Sequence, residues 1–427
     1  MRISQHIRLA WSYRQFWARE LLVVSLLALV TSLVFTLTDL DIAVQRWFFS
    51  PEGDFKWPLE RAWPWSWLRD FLAPVPAVIA IAAAFGVLVA GYFRPGLARY
   101  RAHCLFVILA LILGPGVLVN GIIKERWARP RPRQIENFGG HLVYRPAVVP
   151  GPNEGGLSFP CGHSSVAFYL TVFYFLFRRK RRLWAWTALT VSVVFGGLVG
   201  LGRMVAGAHF LSDVLWSAYL VFLVSHVLYY FVLNIPARED GRLPAVAAAS
   251  GRRWLLCIYA ALLLAALLGI LAGTPFHQRI WRPAVALPAP PDSLTSVIVR
   301  CPRADMEVQF VSGETLDVSG VACGFAFPGS RIVVREIWEK APKRLTCAIE
   351  PRGWFGEYEA ELAVRVPAAR VGALVVEVER GSVSLGPASA RPPPLTIKVQ
   401  SGRVSLPASW TNYPIQVVAP AEAVTYR

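Results

Sequence analysis

The chain has 427 residues, of which 55% are apolar and only 17% charged, and its mean hydropathy is +0.44. This composition excludes an ordinary soluble protein of two or three domains and indicates a protein that lies largely in a membrane. The net charge is +17, and +14 of it belongs to the first 274 residues, because the rest carries 17 Lys and Arg against 14 Asp and Glu. That distribution fits membrane topology better than nucleic-acid binding.

Charge-poor apolar stretches recur along the first 274 residues at about the 20-residue length that crosses a bilayer. We predict membrane helices at 21–40, 71–93, 104–123, 183–201, 210–233 and 254–272. A shorter apolar run, 163–177, reaches this length only if its helix begins near Phe159, which would place His163 at the mouth of the helix. The pattern therefore predicts seven crossings.

Basic residues cluster before the first predicted helix and after the second, fourth and sixth, so the positive-inside rule makes these four segments cytoplasmic. The N-terminus is then cytoplasmic, and the C-terminus lies outside with the loops at 41–70, 124–162 and 202–209. The loop that begins at Lys124 is as basic as any inner loop, yet it lies outside by this count. Either a helix is miscounted or the cations of this loop have a function.

The composition changes near Pro275. Residues 283–291 have the Pro/Ala composition of a short linker, and from about Ser296 apolar and polar residues alternate, which favours β strands. Residues 376–385 recur as 397–406, an offset of 21 residues that suggests a solenoid-like or sandwich domain of stacked strands. This segment has no cluster of catalytic residue types, so we expect an accessory, binding or spacer role; a binding role would involve an envelope partner of unknown identity.

These patterns predict a mainly α, polytopic membrane helix bundle, with a six-helix core and a seventh helix, followed by a small all-β domain. The predicted boundaries are 1–235 for the membrane core, 236–274 for a cytoplasmic loop and the seventh helix, 275–295 for a linker and 296–427 for an extracytoplasmic β domain. The six cysteines are scattered, with no Cys-x-x-Cys and no pairing with His, so no metal site is predicted.

The segment that joins two apolar runs, from Gly202 to Asp213, carries an Arg, a His and an Asp. If the second run is helical, His209 and Asp213 lie four residues apart on one face. The carboxylate can then accept a hydrogen bond from one imidazole nitrogen and leave the other free to attack. His209 would lie in the first turn, where the helix dipole and Arg203 favour an anion, which we predict to be a phosphoryl group.

Three outer segments contain residue types suited to phosphate chemistry. They are Lys124 with Arg131-Pro132, the segment Phe159-Pro-Cys-Gly-His163, and the segment with Arg203, His209 and Asp213. Their order, spacing and common side resemble the three signatures of the type 2 phosphatidic acid phosphatase family of integral-membrane lipid phosphate phosphatases, which are Lys-x6-Arg-Pro, Pro-Ser-Gly-His and Ser-Arg-x5-His-x3-Asp. The resemblance covers 124–213 and, through the six-helix core, about 20–235.

The resemblance implies a role for each matching residue. His209 attacks phosphorus to form a phosphohistidine, Asp213 orients His209, and His163 protonates the departing oxygen. The residues that bind the substrate phosphate are Lys124, Arg131, Arg203, Cys161 and Gly162, the last through its backbone N–H. Water then hydrolyses the phosphoenzyme, and the resemblance implies neither a metal nor a cofactor. The chemistry agrees, because two Arg and one Lys compensate the charge on three equatorial oxygens of a transferring phosphoryl group.

Two positions depart from the family pattern. Cys161 stands where the family has Ser, and a thiol is a weaker hydrogen-bond donor than a hydroxyl. Gly202 replaces the Ser that begins the third signature. We expect reduced but not abolished phosphate binding, because the cations and both His remain.

The leading hypothesis is therefore a metal-independent phosphatase of the bacterial inner membrane, with its site and C-terminal domain in the periplasm. Its substrate is a lipid phosphate or diphosphate, with lipid A 1-phosphate, undecaprenyl diphosphate, phosphatidylglycerophosphate and phosphatidic acid as candidates. The string from Gly207 to Trp216 is most similar to the lipid A phosphatase branch. Two alternatives remain, a phosphotransferase from a polyprenyl diphosphate to another lipid and a membrane-anchored binding protein with a degenerate phosphatase core. No nucleic-acid partner is expected.

Overall fold

The computed structural model describes residues 3–52, 56–60, 62–68, 72–140, 142–151, 156–244, 257–258, 260–265, 268–269, 275–281, 285–288, 296–341, 343–386, 392–410, 413–420 and 424–426. The chain separates into two compact units. The first contains Met1–Gly151 and Gly156–Ile270, and the second contains Leu271–Arg427.

The first unit is helical. Its helices are α1 (Ile3–Trp11), α2 (Arg14–Leu37), α3 (Leu40–Arg46), α4 (Trp65–Trp67), α5 (Val75–Phe93), α6 (Arg101–Leu111), α7 (Lys124–Trp127), α8 (Gly162–Phe168), α9 (Val172–Phe177), α10 (Arg182–Met204), α11 (Leu211–Val227) and α12 (Ile235–Glu239). A π-helical segment, Ile112–Ile123, joins α6 to α7, and it contains Pro115, which has no N–H for a regular helical hydrogen bond. A 3-10 turn, Tyr169–Thr171, joins α8 to α9.

Four helices of the described part are long and apolar enough to cross a membrane: Arg14–Leu37, Gly96–Gln134, Arg182–Met204 and Leu211–Val232. Two shorter apolar helices, Val75–Gly91 and Gly162–Phe177, correspond to the second and fourth predicted crossings. The predicted helical membrane core is therefore confirmed. Much of the seventh predicted helix, 254–272, lies outside the described residues.

Small residues allow α10 to pack closely on α8 and α11. A Cβ added to Gly196 would overlap the ring of Phe168 in α8, and one added to Gly200 would overlap Val214 in α11. The hydroxyl of Ser192 donates a hydrogen bond to the carbonyl of Phe168 at 2.9 Å. Close approach at small residues is the usual way in which membrane helices associate, and here it brings together the ends of α8, α10 and α11.

Ion pairs close the opposite end of the helical unit. Arg179, just before α10, contacts Glu239 at 3.0 Å and Asp240 at 2.6 Å, while Arg178 contacts Glu20 of α2 at 2.7 Å. The hydroxyl of Tyr13 also donates to Asp240, and burial together with this carboxylate raises the pKa of Tyr13 to about 12. Since α10 begins beside this cluster and ends at Met204, the cluster and the segment around Arg203 lie at opposite ends of one helix.

The second unit is rich in β sheet. Its strands are β1 (Pro275–Trp281), β2 (Val285–Ala286), β3 (Ser296–Val311), β4 (Thr315–Ala326), β5 (Arg331–Glu339), β6 (Arg344–Arg352), β7 (Phe355–Pro367), β8 (Leu374–Arg380), β9 (Val383–Leu385), β10 (Leu395–Ser401), β11 (Val404–Leu406), β12 (Ile415–Val418) and β13 (Val424–Tyr426). The inward residues of β3, β8 and β10 alternate with more exposed ones and form one apolar core, as the period of two predicts.

The predicted 21-residue repeat appears as parallel strand pairing. Strand β10 pairs with β8 so that Ile397 lies opposite Val376, and β11 pairs with β9 so that Val404 lies opposite Val383. Both registers equal the offset of the repeat, so equivalent residues stack on one another from one coil to the next. The chain thus has the predicted β domain, with solenoid-like stacking in its C-terminal part.

The predicted linker, 275–295, is wrong at its beginning. Strand β1 occupies its first residues and pairs antiparallel with β4 from Pro275 to Trp281, so the β domain begins about twenty residues earlier than predicted. The predicted linker was based on the Pro/Ala composition of the residues that follow. That composition outweighed Phe276, Gln278 and Ile280, which lie on one face of the strand. Residues 282–284 and 289–295 of the predicted linker lie outside the described residues.

Candidate active site

Three backbone hydrogen bonds join the three predicted site segments to one another. The N–H of Ser158 donates to the carbonyl of Arg129 at 3.0 Å, which links the first segment to the second. The N–H of Cys161 donates to the carbonyl of Asp213 at 3.3 Å, and the N–H of Arg133 donates to the carbonyl of Gly207 at 3.0 Å. Segments that are up to about 80 residues apart in the chain therefore meet at one end of the helical unit.

The turn before His209 is held by residues of the segment that follows α2. Gly207 has a φ of +61°, a conformation that favours glycine, and an added Cβ would overlap the indole of Trp57. Gln45 of α3 donates to the carbonyl of Met204 at 2.9 Å. These contacts fix the path of the chain between Arg203 and His209.

His209 lies just before α11 rather than in its first turn, because the helix begins at Leu211 and Phe210 is its N-cap residue. The side chain is fully buried. Its Nδ1 is 2.6 Å from the carbonyl oxygen of Ser158, and since a carbonyl can only accept, Nδ1 carries the proton. Nε2 is then the unprotonated nitrogen, and it has no hydrogen-bond partner of normal geometry among the described residues.

Asp213 is fully buried in the first turn of α11, and its Oδ2 lies 3.7 Å from Nδ1 of His209, beyond direct hydrogen-bond range. That oxygen accepts hydrogen bonds from the Ser158 hydroxyl at 2.6 Å and from the N–H of Phe210 at 2.8 Å. The sequence predicted a direct contact with His209. The structure instead connects the carboxylate to the imidazole through Ser158 and leaves the carboxylate 3.7 Å from the ring.

The other predicted site residues lie on the first and second segments. Lys124 begins α7, Arg131 precedes the 3-10 turn Pro132–Gln134, and His163 is the second residue of α8; all three are buried. Gly162 is the first residue of α8, and a Cβ there would overlap Oδ1 of Asn120, so the amide of Asn120 would have to move to make room for a side chain. Their roles in phosphate binding and proton transfer stay predictions.

Cys161 is fully buried and lies where the second and third segments meet. Its thiol interacts electrostatically with His209 and Arg203 and accepts a hydrogen bond from the Ser164 hydroxyl at 3.1 Å. Arg203 itself lies in the last turn of α10 and is half-buried. The residue that replaces the serine of the family signature is thus a neighbour of the proposed nucleophile.

Sequence reasoning missed Arg129, Asp41 and Ser158. Arg129 is two residues before Arg131 in the same basic loop, and spacing selected only Arg131. Asp41 follows the first apolar run beside Asp39, and nothing in the sequence distinguishes the two. Ser158 carried no signal in the sequence. The described residues contain no group of three or more His, Cys, Asp or Glu that could hold a metal.

Comparison with known proteins matches residues 102–236 to the model of the PAP2 superfamily. A lipid A 4'-phosphatase from Francisella tularensis subsp. novicida (strain U112) is 35% identical over 165 residues, which cover 38% of this chain and 72% of that protein. A lipid A 4'-phosphatase from Rhizobium leguminosarum is 34% identical over 161 residues, which cover 36% of this chain and 67% of that protein. Among solved structures, a transmembrane PAP2 type phosphatidylglycerolphosphate phosphatase from Bacillus subtilis is similar at 19% identity and a TM-score of 0.27, over 53% of this chain and 98% of that one.

Proposed function

Because this chain belongs to the PAP2 superfamily, whose members are metal-independent phosphatases, we propose that it removes a phosphate from a lipid A-type glycolipid at the outer face of the inner membrane through a phosphohistidine on His209. The family and the apolar helices make the protein a multi-pass bacterial membrane lipid phosphatase.

One observation carries the proposal. Nδ1 of His209 is held by the Ser158 carbonyl at 2.6 Å, so the lone pair of the buried Nε2 is available for attack on an electrophile. A nucleophilic histidine needs this arrangement, in which one nitrogen is fixed by a hydrogen bond and the other stays neutral. The meeting of the three signature segments around this side chain supports phosphorus as the electrophile.

In the first step, Nε2 of His209 attacks phosphorus and the bond between phosphorus and the lipid oxygen breaks. His163 gives its proton to that oxygen, and the lipid leaves as an alcohol. Lys124, Arg131 and Arg203 compensate the negative charge on the three equatorial oxygens, with the two guanidinium groups as planar donors and the ammonium as a point charge. In the second step, neutral His163 takes a proton from water, the oxygen attacks phosphorus, and the bond to Nε2 breaks to release inorganic phosphate.

This scheme needs one imidazole neutral and the other protonated at the start of each cycle. We therefore expect a bell-shaped dependence of kcat/KM on pH with both limbs near neutrality. A kcat/KM that does not change between about pH 5 and pH 9 would contradict the assignment of His209 and His163 as nucleophile and general acid.

The placement of the site at the outer face is supported by the charges at the two ends of α10. The cluster of Arg178 and Arg179 lies at one end, and Arg203 lies at the other. The positive-inside rule makes the first end cytoplasmic, so the end with His209 faces the periplasm. The N-terminus is then cytoplasmic and, with seven crossings, the β domain is periplasmic; an envelope partner for it stays a prediction.

Lipid A is the preferred substrate because two relatives of at least 34% identity carry lipid A 4'-phosphatase as their name. We expect the 4'-phosphate to be removed. To test this, purified protein in nanodiscs is given lipid A with both phosphates, and undecaprenyl diphosphate or phosphatidylglycerophosphate in parallel. Inorganic phosphate is measured, and tandem mass spectrometry locates the remaining phosphate.

The proposal predicts loss of the 4'-phosphate as inorganic phosphate, and no release by His209→Ala. Removal from the 1-position or from another lipid would change the substrate assignment and keep the chemistry. Transfer of phosphate to a second lipid would make the protein a phosphotransferase. Full biological function in His209→Ala would instead favour a binding protein with a degenerate core.

A further inference from the structure

We propose that Asp41 and Arg129 are positioning residues that hold Asp213 and set the charge behind the nucleophile. This inference rests on the proposed function of His209. It adds to the site a segment, α3, that lies outside the three signatures.

The guanidinium of Arg129 is fully buried and its donors are distributed over three sides. Nη1 donates to Asp213 and to the hydroxyl of Ser212, the latter at 2.9 Å, and Nη2 donates to Asp41 at 2.8 Å. Nε donates to the carbonyl of Arg145 at 2.8 Å, and the ring of Phe210 lies 4.4 Å from the central carbon. A cation that is fixed in this way orients the Asp213 carboxylate more rigidly than a solvated lysine could.

Asp41 is equally buried, and donors surround its carboxylate. One oxygen accepts from the backbone N–H of Ser212 at 3.0 Å, and the other accepts from the Ser212 hydroxyl and from the phenol of Tyr144 at 3.2 Å. Burial raises the pKa of Tyr144, and the negative charge of Asp41 raises it further, so the phenol stays protonated and donates. Together with Arg129, these donors satisfy both oxygens of a carboxylate that is fully buried.

The charge balance explains why two carboxylates are needed. If Arg129 faced Asp213 alone, the buried pair would be neutral and Asp213 could do little for a cation beside it. With Asp41 on the other side of the guanidinium, the three groups carry a net charge of about −1. Asp213, at 3.7 Å from Nδ1 of His209, can then stabilise the positive imidazole ring that forms when Nε2 bonds to phosphorus while Nδ1 keeps its proton.

The other titratable or charged groups that contact His209 lie on different elements. Cys161 approaches from the start of α8, and Arg203 of α10 interacts with the thiol of Cys161. Asp213 is on the helix that follows His209, and Arg129 is behind Asp213. Substitutions at Asp41 and Arg129 leave the first two groups in place, so they change only the charge on the Asp213 side.

The test compares the pH dependence of kcat/KM in charge-altering variants of the full-length protein. Asp41→Asn removes one negative charge, which favours neutral imidazole, so the acid limb of the profile should move to lower pH. Arg129→Met removes the positive charge, so the same limb should move to higher pH. Each shift should be at least about 0.5 pH unit, since a charge within about 4–6 Å of a titrating group commonly shifts its pKa by one or more units, and Asp41 and Arg129 act on His209 through Asp213.

A double variant and a conservative variant distinguish a charge effect from misfolding of a single variant. Asp41→Asn with Arg129→Met leaves Asp213 as the remaining negative group, so its acid limb should return to within about 0.3 pH unit of wild type. Arg129→Lys keeps the charge but loses the planar donors, so kcat should fall about tenfold while the limb stays in place. A purely structural role would change yield or thermal stability in all these variants without moving the limb in opposite directions.

The outcomes separate this inference from the proposed function. If wild type releases phosphate, His209→Ala is inactive and the limbs of Asp41→Asn and Arg129→Met coincide with wild type, the positioning role is wrong and the proposed function stands. If His209→Ala retains wild-type activity, the proposed function itself fails. Opposite shifts, with restoration in the double variant, support both.

Discussion

The imidazole Nδ1 of His209 donates to the backbone carbonyl of Ser158 at 2.6 Å, whereas the carboxylate of Asp213 is 3.7 Å away. A backbone group therefore fixes the tautomer of the proposed nucleophile, and the Asp213 carboxylate is connected to the imidazole only through Ser158. The Ser158 carbonyl orients His209, and the Asp213 carboxylate stabilises positive charge on its ring. Because a side-chain substitution leaves the carbonyl in place, the two effects can be tested separately.

Substitution of Ser158 tests this separation. Ser158→Ala keeps the carbonyl that holds His209 but removes the hydroxyl that donates to Asp213 at 2.6 Å. We expect kcat to fall roughly tenfold, the cost of one hydrogen bond to a charged group, with KM little changed. The measurement is steady-state phosphate release. Complete loss of activity in a folded Ser158→Ala protein would mean that the hydroxyl and carboxylate orient His209 instead.

Cys161 offers a second test, because the family signature has Ser at this position. Serine can accept the hydrogen bond that Ser164 gives to the thiol at 3.1 Å, and it donates more strongly to a phosphoryl oxygen. We expect Cys161→Ser to turn over as fast as wild type or faster, and Cys161→Ala to be slower. An inactive but folded Cys161→Ser protein would show that the thiol has a role of its own.

Packing of α10 gives a matched pair of glycine substitutions. Gly196→Ala would overlap Phe168, whereas a Cβ at Gly197 meets nothing within 4 Å among the described residues. We expect Gly196→Ala to lower the free energy of unfolding by about 1–3 kcal/mol and to reduce activity through displacement of α8. Gly197→Ala should be neutral or stabilise by up to about 1 kcal/mol. Thermal unfolding in detergent compares them, and equal effects would contradict the packing argument.

The stacked coils of the β domain give another matched pair. Gly402 has a φ of +145°, and an added Cβ would overlap the carbonyl of Gly381 in the preceding coil. Gly402→Ala should destabilise the domain by about 2 kcal/mol or more. Gly313→Ala should not, because its Cβ would meet no described atom within 4 Å. Hydrogen exchange of peptides within 374–406 reports on this region directly. If the exchange rates of Gly402→Ala equal those of wild type, the close contact between Gly402 and Gly381 does not contribute to the stability of this region.

The sequence was sufficient where a local pattern determines the structure. Hydropathy located the apolar helices Arg182–Met204 and Leu211–Val232 within a few residues, since a bilayer requires long apolar helices. The 21-residue offset predicted the register of β10 on β8, with Ile397 opposite Val376, because stacked coils place equivalent residues together. Motif spacing selected His209, Asp213 and the other predicted site residues, whose roles no finding yet tests.

What the sequence could not supply were contacts between distant segments. Asp41 and Arg129 are 88 residues apart and meet only after α3 folds against α11. Ser158 provides a backbone carbonyl, a group that every residue carries, so no pattern could mark it. Helix periodicity predicted His209 within the first turn of α11, but the helix begins two residues later, at Leu211. The carboxylate of Asp213 accepts a hydrogen bond from the backbone N–H of Phe210, the N-cap residue, and this contact fixes where the helix starts.

The most direct test of the central claim is to trap the phosphoenzyme. Purified protein is mixed with radiolabelled lipid phosphate, quenched with alkali within milliseconds, digested and analysed by mass spectrometry. We predict a phosphoryl group on His209 that is stable in alkali and lost in acid, absent from His209→Ala and retained longer in His163→Ala. Steady turnover with the label on Cys161, or with no protein-bound phosphate at any time, would contradict this account.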